Sequence, residues 1–194
     1  MSRVKYLPLL FVLSLLGNSF GAVGAKRTTD EPPKRFEKDG LVFEYDPNWE
    51  LSDQSNAAAQ QFVLTEKALD AQIMIIALRT PLTSAKQEEQ AKAAVIEPSI
   101  NGLLKQYDIA GIKVERIPAK TDVAGSPAEG EQLRFEVDRQ PGATDIYWRV
   151  INQRMVQLFF IRPEKTAAKT VGCWDLIRNT LKVEKGKEKA KNDK

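Results

Sequence analysis

Residues 39–51 read Asp-Gly-Leu-Val-Phe-Glu-Tyr-Asp-Pro-Asn-Trp-Glu-Leu, and the interpretation of the remaining chain starts from them. The segment Leu41–Tyr45 places an apolar or aromatic side chain at every second position, which predicts a short strand with one buried face. The Asp39-Gly40 pair predicts a turn before that strand. This turn would join the strand to residues 36–38 in a hairpin.

The end of this strand is marked by Pro47. Proline has no backbone N–H to contribute to a sheet, and it favours extended geometry at the preceding Asp46. The chain is therefore predicted to leave the sheet here, so that Trp49 folds back as a lid over the end of the strand.

Several later segments have strand periodicity and predict a mainly antiparallel sheet. Ala71–Leu78 is apolar at odd and even positions alike, as in a strand covered on both faces. We expect it to be the central strand of a layer that also contains Leu41–Tyr45. The other predicted strands are residues 60–65, 112–117, 121–124, 132–137, 146–151 and 155–161. The predicted connections at residues 125–127, 140–143 and 152–153 are of hairpin length.

Two amphipathic helices are predicted to pack on this sheet. Residues 84–107 begin with a capping box from Ser84 to Gln87, and Pro98 predicts a kink or break in the helix. A second helix is predicted at residues 166–181. The apolar stripe of the first helix consists of Ile96, Ile100, Leu103, Leu104 and Tyr107, and that of the second of Val171, Trp174, Ile177 and Leu181. The predicted fold class is α+β, an α/β/α sandwich around a central sheet.

Three motifs in this pattern resemble the PsbP-like domain family. The first is Gly40 followed by the alternating strand and Pro47-Asn48-Trp49. The second is the Gly125-Ser126-Pro127-Ala128 segment between two strands, and the third is a closing helix whose last residues run from Trp174 to Leu181. The proline and tryptophan are one residue closer together than in the family pattern. The resemblance covers residues 36–183 and implies a PsbP-like α/β domain. It also implies a non-catalytic accessory or protein-interaction role, as in photosystem II extrinsic protein P and exported bacterial members.

The N-terminus has the pattern of a secretory signal peptide over residues 1–25. Arg3 and Lys5 supply the basic end, residues 7–16 supply the apolar run, and residues 23–25 are small enough for cleavage. The apolar run is about half as long as the ~20 residues that span a bilayer. We therefore expect an exported protein, periplasmic or secreted, with no transmembrane span after cleavage.

The segments that flank the predicted domain differ from it in composition. Residues 26–35 are charged and proline-containing, which predicts a flexible leader, and residues 184–194 predict a disordered Lys-rich tail. The formal charge of +3 falls to +1 once the signal is removed, because Arg3 and Lys5 leave with it. A near-neutral domain argues against binding to nucleic acid. The tail would make only weak, salt-sensitive contact with an anionic surface. The expected partner is another envelope or lumenal protein.

The residues needed for the commonest catalytic and metal sites are missing from the sequence. With no histidine and one cysteine, Ser-His-Asp and Cys-His catalysis and the usual zinc sites are excluded. Cys173 lies in an apolar helical pattern and is expected to be buried. The carboxylate pairs Glu129/Glu131 and Glu136/Asp138 repeat on one face of a strand, as solvated charges do. No catalytic residue, cofactor or metal ligand is predicted, and the protein is not expected to be an enzyme.

A possible ligand or interaction surface consists of Trp49, Tyr147, Trp148, Arg149 and Phe159. Core packing is the alternative interpretation of these aromatic residues. If Trp49, Trp148 and Phe159 lined one cavity between the kinked helix and the sheet, the protein would be a carrier of a small apolar ligand. A hydrolase that works through carboxylates remains a further alternative, and it would require two Asp or Glu side chains converging in a cleft.

Overall fold

The computed structural model describes residues 31–184, which form two antiparallel sheets and three helices. The strands are β1 (Lys34–Lys38), β2 (Leu41–Tyr45), β3 (Glu50–Asp53), β4 (Ala59–Glu66), β5 (Ala71–Leu78), β6 (Val114–Val123), β7 (Ser126–Val137), β8 (Gln140–Ile151), β9 (Arg154–Pro163) and β10 (Lys182–Val183). The helices are α1 (Ala85–Ala91), α2 (Glu97–Ile109) and α3 (Ala167–Thr180), with a π-helical turn at Lys92–Ile96 and 3-10 turns at Lys67–Leu69 and Glu164–Thr166.

Seven strands form the large sheet in the order β3-β4-β5-β9-β8-β7-β6, and all neighbours are antiparallel. The predicted α+β fold with a mainly antiparallel sheet is thus confirmed. The prediction that Ala71–Leu78 is the central strand is wrong by one position. It is an interior strand, but the middle place belongs to β9, which is also buried on both of its faces.

The predicted placement of Leu41–Tyr45 beside Ala71–Leu78 in one layer is wrong. β2 lies in a separate three-stranded sheet between β1 and β10. Both sides of β5 are already occupied by β4 and β9, so β2 has no free edge to join there. It packs face to face instead, with the rings of Phe43 and Phe62 6.3 Å apart. The chain reverses after β2 as expected, because the Trp49 N–H donates to the Asp46 carbonyl over 3.0 Å.

The large sheet has two covered faces, which together give the predicted α/β/α sandwich. On one side lie α3 and the small sheet, and we call this side the α3 face. On the other lie α1, the π turn and α2, and we call this side the α2 face. Cys173 is buried on the α3 face, as predicted. Val171 was expected in the inner stripe of this helix, but it is 41% exposed; the helix turns Thr170 inward instead.

The first predicted helix continues through Pro98 without a break. The structure widens the helix into a π turn just before the proline, where the Glu97 N–H bonds to the Lys92 carbonyl five residues back. A wider turn absorbs a local disruption of the helical hydrogen bonds without ending the helix. The N-cap is confirmed, since Ser84 Oγ accepts from the Gln87 N–H over 3.3 Å. The Gln87 side chain accepts hydrogen bonds from Thr83 and not from the Ser84 backbone N–H that a capping box requires.

Two strand boundaries differ from the prediction around the later hairpins. The turn expected at residues 140–143 lies at Asp138-Arg139, which have φ of 50° and 64°. Pro141 is tolerated inside β8 because the pairing with β9 begins only at Gly142. The turn expected at residues 125–127 likewise centres on Ala124-Gly125, so Ser126 already belongs to β7.

The two strands expected at residues 112–117 and 121–124 form one strand, β6. This strand is an edge of the large sheet and pairs only with β7. Counting back from the hairpin-closing pair Val123–Ser126, Pro118 falls among the residues whose backbone faces away from β7. A missing N–H costs nothing on that open side, so the proline does not interrupt the strand.

The predicted signal peptide, most of the leader and the tail after Glu184 lie outside the described residues. Strand β1 begins at Lys34, inside the segment that was predicted to be the leader. Among residues 31–184, no helix combines the length and the apolar character that crossing a bilayer requires.

Candidate functional site

The large sheet separates the residues of the predicted interaction surface. Trp49 and Tyr147 belong to the core of the α3 face, whereas Phe159 and Trp148 belong to the α2 face. The separation follows from strand geometry, because successive side chains point to opposite faces. The cavity expected between Trp49, Trp148 and Phe159 is therefore not formed. Arg149 lies at the α3 face and donates to the Val123 carbonyl over 2.6 Å.

The aromatic residues on the α3 face pack as parts of the core. The Tyr147 ring lies against Gly130, where a Cβ would be 2.3 Å from Tyr147 Cδ1 and 2.3 Å from the Ile146 carbonyl oxygen. The same ring is 6.1 Å from that of Trp174. Burial raises the pKa of the Tyr147 hydroxyl. These contacts make Tyr147 part of the buried core of the α3 face.

Trp148 on the α2 face is half-buried and has a charged neighbour from the π turn. Lys92 Nζ lies 5.5 Å from the centre of the Trp148 ring and 2.8 Å from Glu129 Oε2. The hydrogen bond from Lys92 is the main reason that the pKa of Glu129 is lowered. Lys92 and Glu129 thus form an ion pair at the solvent edge of the tryptophan.

Gln157 lies behind Trp148 within the α2 face. It is on β9, opposite Ile76 of β5 on one side and Trp148 of β8 on the other. Its side chain is 1% exposed, and neither amide atom has a hydrogen-bond partner among residues 31–184. Gln157 was not predicted from the sequence as a site residue. Its signal was a single amide inside the predicted strand 155–161, which is otherwise largely apolar.

A shallow groove of about 560 Å³ lies where the end of α2 meets the start of β6. Its lining residues are Leu104, Asp108, Gly111, Ile112, Lys113 and Val114. Ile109, at the end of the same helix, is 76% exposed. This surface was not predicted from the sequence either. The available signal was that Ile109 is apolar but falls outside the stripe that packs on the sheet.

Two of the carboxylates considered as catalytic candidates, Glu129 and Glu131, have cationic partners. Glu129 pairs with Lys92, and Glu131 binds Arg116 through two hydrogen bonds of 2.7 and 2.9 Å. In the part of the chain that the structure describes, no three cysteine, aspartate or glutamate side chains are grouped to hold a metal ion. The geometry therefore offers two features that suit binding: the groove beside Ile109 and the buried amide of Gln157.

Comparisons with known proteins concern the fold alone. No family model and no curated protein matches the chain. Among solved structures, it is similar to cyanobacterial PsbP (CyanoP) from Synechocystis sp. PCC 6803, at 15% identity and a TM-score of 0.50, over 88% of this chain and 99% of that one. It is also similar to a protein from Bacteroides thetaiotaomicron, at 14% identity and a TM-score of 0.51, over 78% of this chain and 48% of the other. The chain thus spans about half the length of that second protein. Together with the antiparallel sheet and its covering helices, the similarity to CyanoP gives this chain a PsbP-like fold.

Proposed function

We propose that this chain is an exported, non-catalytic protein-interaction module, and that it binds a partner protein through the groove at the end of α2. The observation that carries the proposal is Ile109, a large apolar side chain that is 76% exposed beside a groove with apolar walls. Burying such a side chain stabilises a complex by roughly 1.5–3 kcal/mol. Ile109 adds to the apolar walls of the groove, and an exposed apolar patch, unlike a single exposed apolar residue, is typical of interaction sites.

The lining of the groove specifies the chemistry of the partner. Leu104, Ile112 and Val114 supply apolar walls, while Asp108 and Lys113 place one charge of each sign in the lining. The complementary surface is an apolar side chain flanked by charged groups of both signs. An envelope or lumenal protein that presents such a segment is the partner we propose.

The partner would dock through side chains rather than as an added strand. The open edge beside the groove is β6, and Pro118 removes one of its outward N–H groups. Arg116 and Lys120 lie on either side of the proline along the same edge. Charged residues and proline are the usual protection of an edge against pairing with another strand. The groove lies where this strand begins, on the N-terminal side of the proline.

A non-catalytic role is supported by the pKa values of the single cysteine and of two carboxylates. Burial raises the pKa of Cys173 to about 12, so the thiolate that attacks in cysteine chemistry is scarce at neutral pH. The pKa of Asp53 is lowered to about 2 and that of Glu129 is also lowered. A general acid needs the opposite shift. Export is supported by the signal pattern in residues 1–25.

The experiment compares the two exposed apolar residues of the described domain. A photo-crosslinking amino acid is placed at Ile109 or at Val171 of the mature protein, and each version is incubated with the native envelope fraction. We expect one protein to crosslink from position 109 and not from position 171. That partner is then purified and titrated against the wild type, Ile109→Glu and Val171→Glu.

The proposal predicts that Ile109→Glu weakens the purified complex at least about tenfold, whereas Val171→Glu leaves it unchanged. Circular dichroism checks that both variants fold, which their exposed positions favour. Equal binding by the two variants, or no crosslinked protein from position 109, would reject the groove as the docking site.

A further inference from the structure

The buried amide of Gln157 is the feature of the α2 face that packing does not explain. The residue is 1% exposed, and both its Oε1 and its Nε2 lack hydrogen-bond partners among residues 31–184. Leaving one buried polar group unpaired costs about 1–3 kcal/mol. A leucine at this position would avoid that cost. The unpaired amide therefore destabilises the folded protein unless a group outside the chain forms hydrogen bonds with it.

The surroundings of Gln157 are apolar on every strand of this region. Its cross-strand neighbour on β5 is Ile76, and the same buried cluster contains Ile146, Met155 and Phe159. Its other cross-strand neighbour is Trp148, which is half-buried. An aromatic wall thus stands between the amide and the edge of the layer. A charged ligand would be costly to bury here, whereas a neutral one would not.

The helical layer that covers this face contains the π turn close to Trp148. The π turn contributes Ile96 to the buried cluster and Lys92 to the outer edge of Trp148. A π turn inserted in an α-helix often accompanies a functional site. The contacts between Lys92 and Glu129 close the solvent edge with two flexible side chains, which can separate far more easily than the packed core.

We propose that Gln157 is the polar floor of a small-molecule site between β8, β9 and the π turn, and that its ligand is a flat, neutral molecule with an amide-like group. A primary amide offers a donor and an acceptor side by side, so the group that satisfies both carries an acceptor and a donor in the same arrangement. The rest of the ligand is apolar and stacks on Trp148. Lys92 and Glu129 form the gate. This site is independent of the groove beside Ile109.

The test uses benzamide as the probe and toluene as its matched apolar control. In ¹⁵N-labelled protein, the side-chain amide resonance of Gln157 is identified by its loss in Gln157→Leu. We expect benzamide to shift this resonance saturably and to quench Trp148 fluorescence, measured as the difference from Trp148→Phe. Toluene should bind the wild type at least about tenfold more weakly than benzamide, because it leaves the amide unpaired.

Gln157→Leu removes the polar floor and keeps the size of the side chain, so folding is not at risk. In this variant benzamide should lose at least about tenfold in affinity, while toluene should bind as well as before or better. Gln72→Leu, on the neighbouring strand of the same face, should leave both affinities unchanged. If the Gln157 resonance does not move at any soluble concentration of benzamide, the proposal is wrong. Equal benzamide affinity in Gln157→Leu would reject it too.

Discussion

Two deeply buried glutamines, one on each face of the large sheet, differ in their hydrogen bonding. On the α3 face, Gln60 donates to the Lys38 carbonyl over 2.9 Å and accepts from Arg154. Arg154 also donates to the Leu78 carbonyl over 2.8 Å. On the α2 face, Gln157 is just as deeply buried and has no partner among residues 31–184.

The difference separates a structural surface from a candidate binding surface. Polar groups that are paired inside the fold make it more rigid and leave nothing for a ligand to satisfy. The α3 face also joins the small sheet to the large one, so its contacts are needed for the fold. The α2 face has the unpaired amide, the π turn and the exposed Ile109. We therefore expect substitutions on the α3 face to change stability, and those on the α2 face to change binding.

The largest effect is expected for Gly130→Ala on the α3 face. The new Cβ would lie 2.3 Å from the Ile146 carbonyl oxygen, a backbone atom that cannot move aside. We expect a loss of about 3 kcal/mol in the free energy of unfolding, measured by urea denaturation. Gly142→Ala on the α2 face should cost less, because its closest contact, at 2.6 Å, is the ring of Phe135. Gly102→Ala, which meets no atom within 4 Å in helix α2, should stabilise by about 0.5–1 kcal/mol. A larger loss for Gly142→Ala than for Gly130→Ala would contradict the prediction.

An intermediate effect is expected when the same substitution is made at the two buried glutamines. Gln60→Leu takes a partner from the buried guanidinium of Arg154 and from the Lys38 carbonyl, so it should lower the free energy of unfolding by about 2 kcal/mol. Gln157→Leu breaks no hydrogen bond within the described domain and should change stability by less than about 0.5 kcal/mol, or increase it. Thermal and urea unfolding of both variants measure the difference. Similar losses at the two positions would mean that the faces do not differ in this way.

The smallest effect concerns the ion pair that ties β3 to the end of β1. Asp53 accepts from Lys38 Nζ over 2.5 Å, and this hydrogen bond is the main cause that lowers its pKa to about 2. A carboxylate with a lowered pKa stabilises the fold above its unfolded pKa near 4 and loses that contribution as the pH falls toward 2. Asp53→Asn should therefore cost no more than about 1 kcal/mol at pH 6, and the difference from wild type should shrink between pH 4 and pH 2.5.

Unfolding of both proteins in urea across this pH range measures the effect. The control is Glu50→Gln on the same strand, whose pair with Lys67 has side chains 69% and 73% exposed and should contribute nothing measurable. A difference for Asp53→Asn that stays constant from pH 6 to pH 2.5 would show that the ion pair is not its source.

The alternating apolar pattern was sufficient to predict most of the strands and the two helices of the sandwich, but not the short strands β3 and β10. It predicted the strand Leu41–Tyr45, the interior strand Ala71–Leu78 and the buried stripe of the first helix. Apolar residues recur along a buried face with the period of the strand or helix, so the sequence shows them. It did not predict that β2 joins a separate sheet. That pairing brings Leu41 next to Val183, and no local pattern reports contacts between such distant parts of the chain.

Turn prediction failed where proline and glycine were read as breaks in a strand. Pro118 and Pro141 lie within strands, at positions where a missing N–H is harmless. The turn at Asp138-Arg139 contains no glycine, although both residues have positive φ. A proline is tolerated in a strand when its backbone faces a side without a hydrogen-bonded neighbour. The order of the strands in the sheet determines which side that is, and the local sequence does not show it.

The candidate site was the least predictable part of the molecule. The aromatic residues chosen from the sequence point to opposite faces, because the parity of neighbouring strands depends on their register. Gln157 and Ile109 each break a local pattern, one as a polar residue in an apolar strand and one as an apolar residue off the helical stripe. Searching for such exceptions would have found both.

The pairing of β10 with β2 gives the order of events during synthesis a direct influence on folding. The ribosome releases Leu41 long before Val183, yet these residues must pair to complete the small sheet. The nascent chain consequently lacks part of its α3 face until Val183 has been translated.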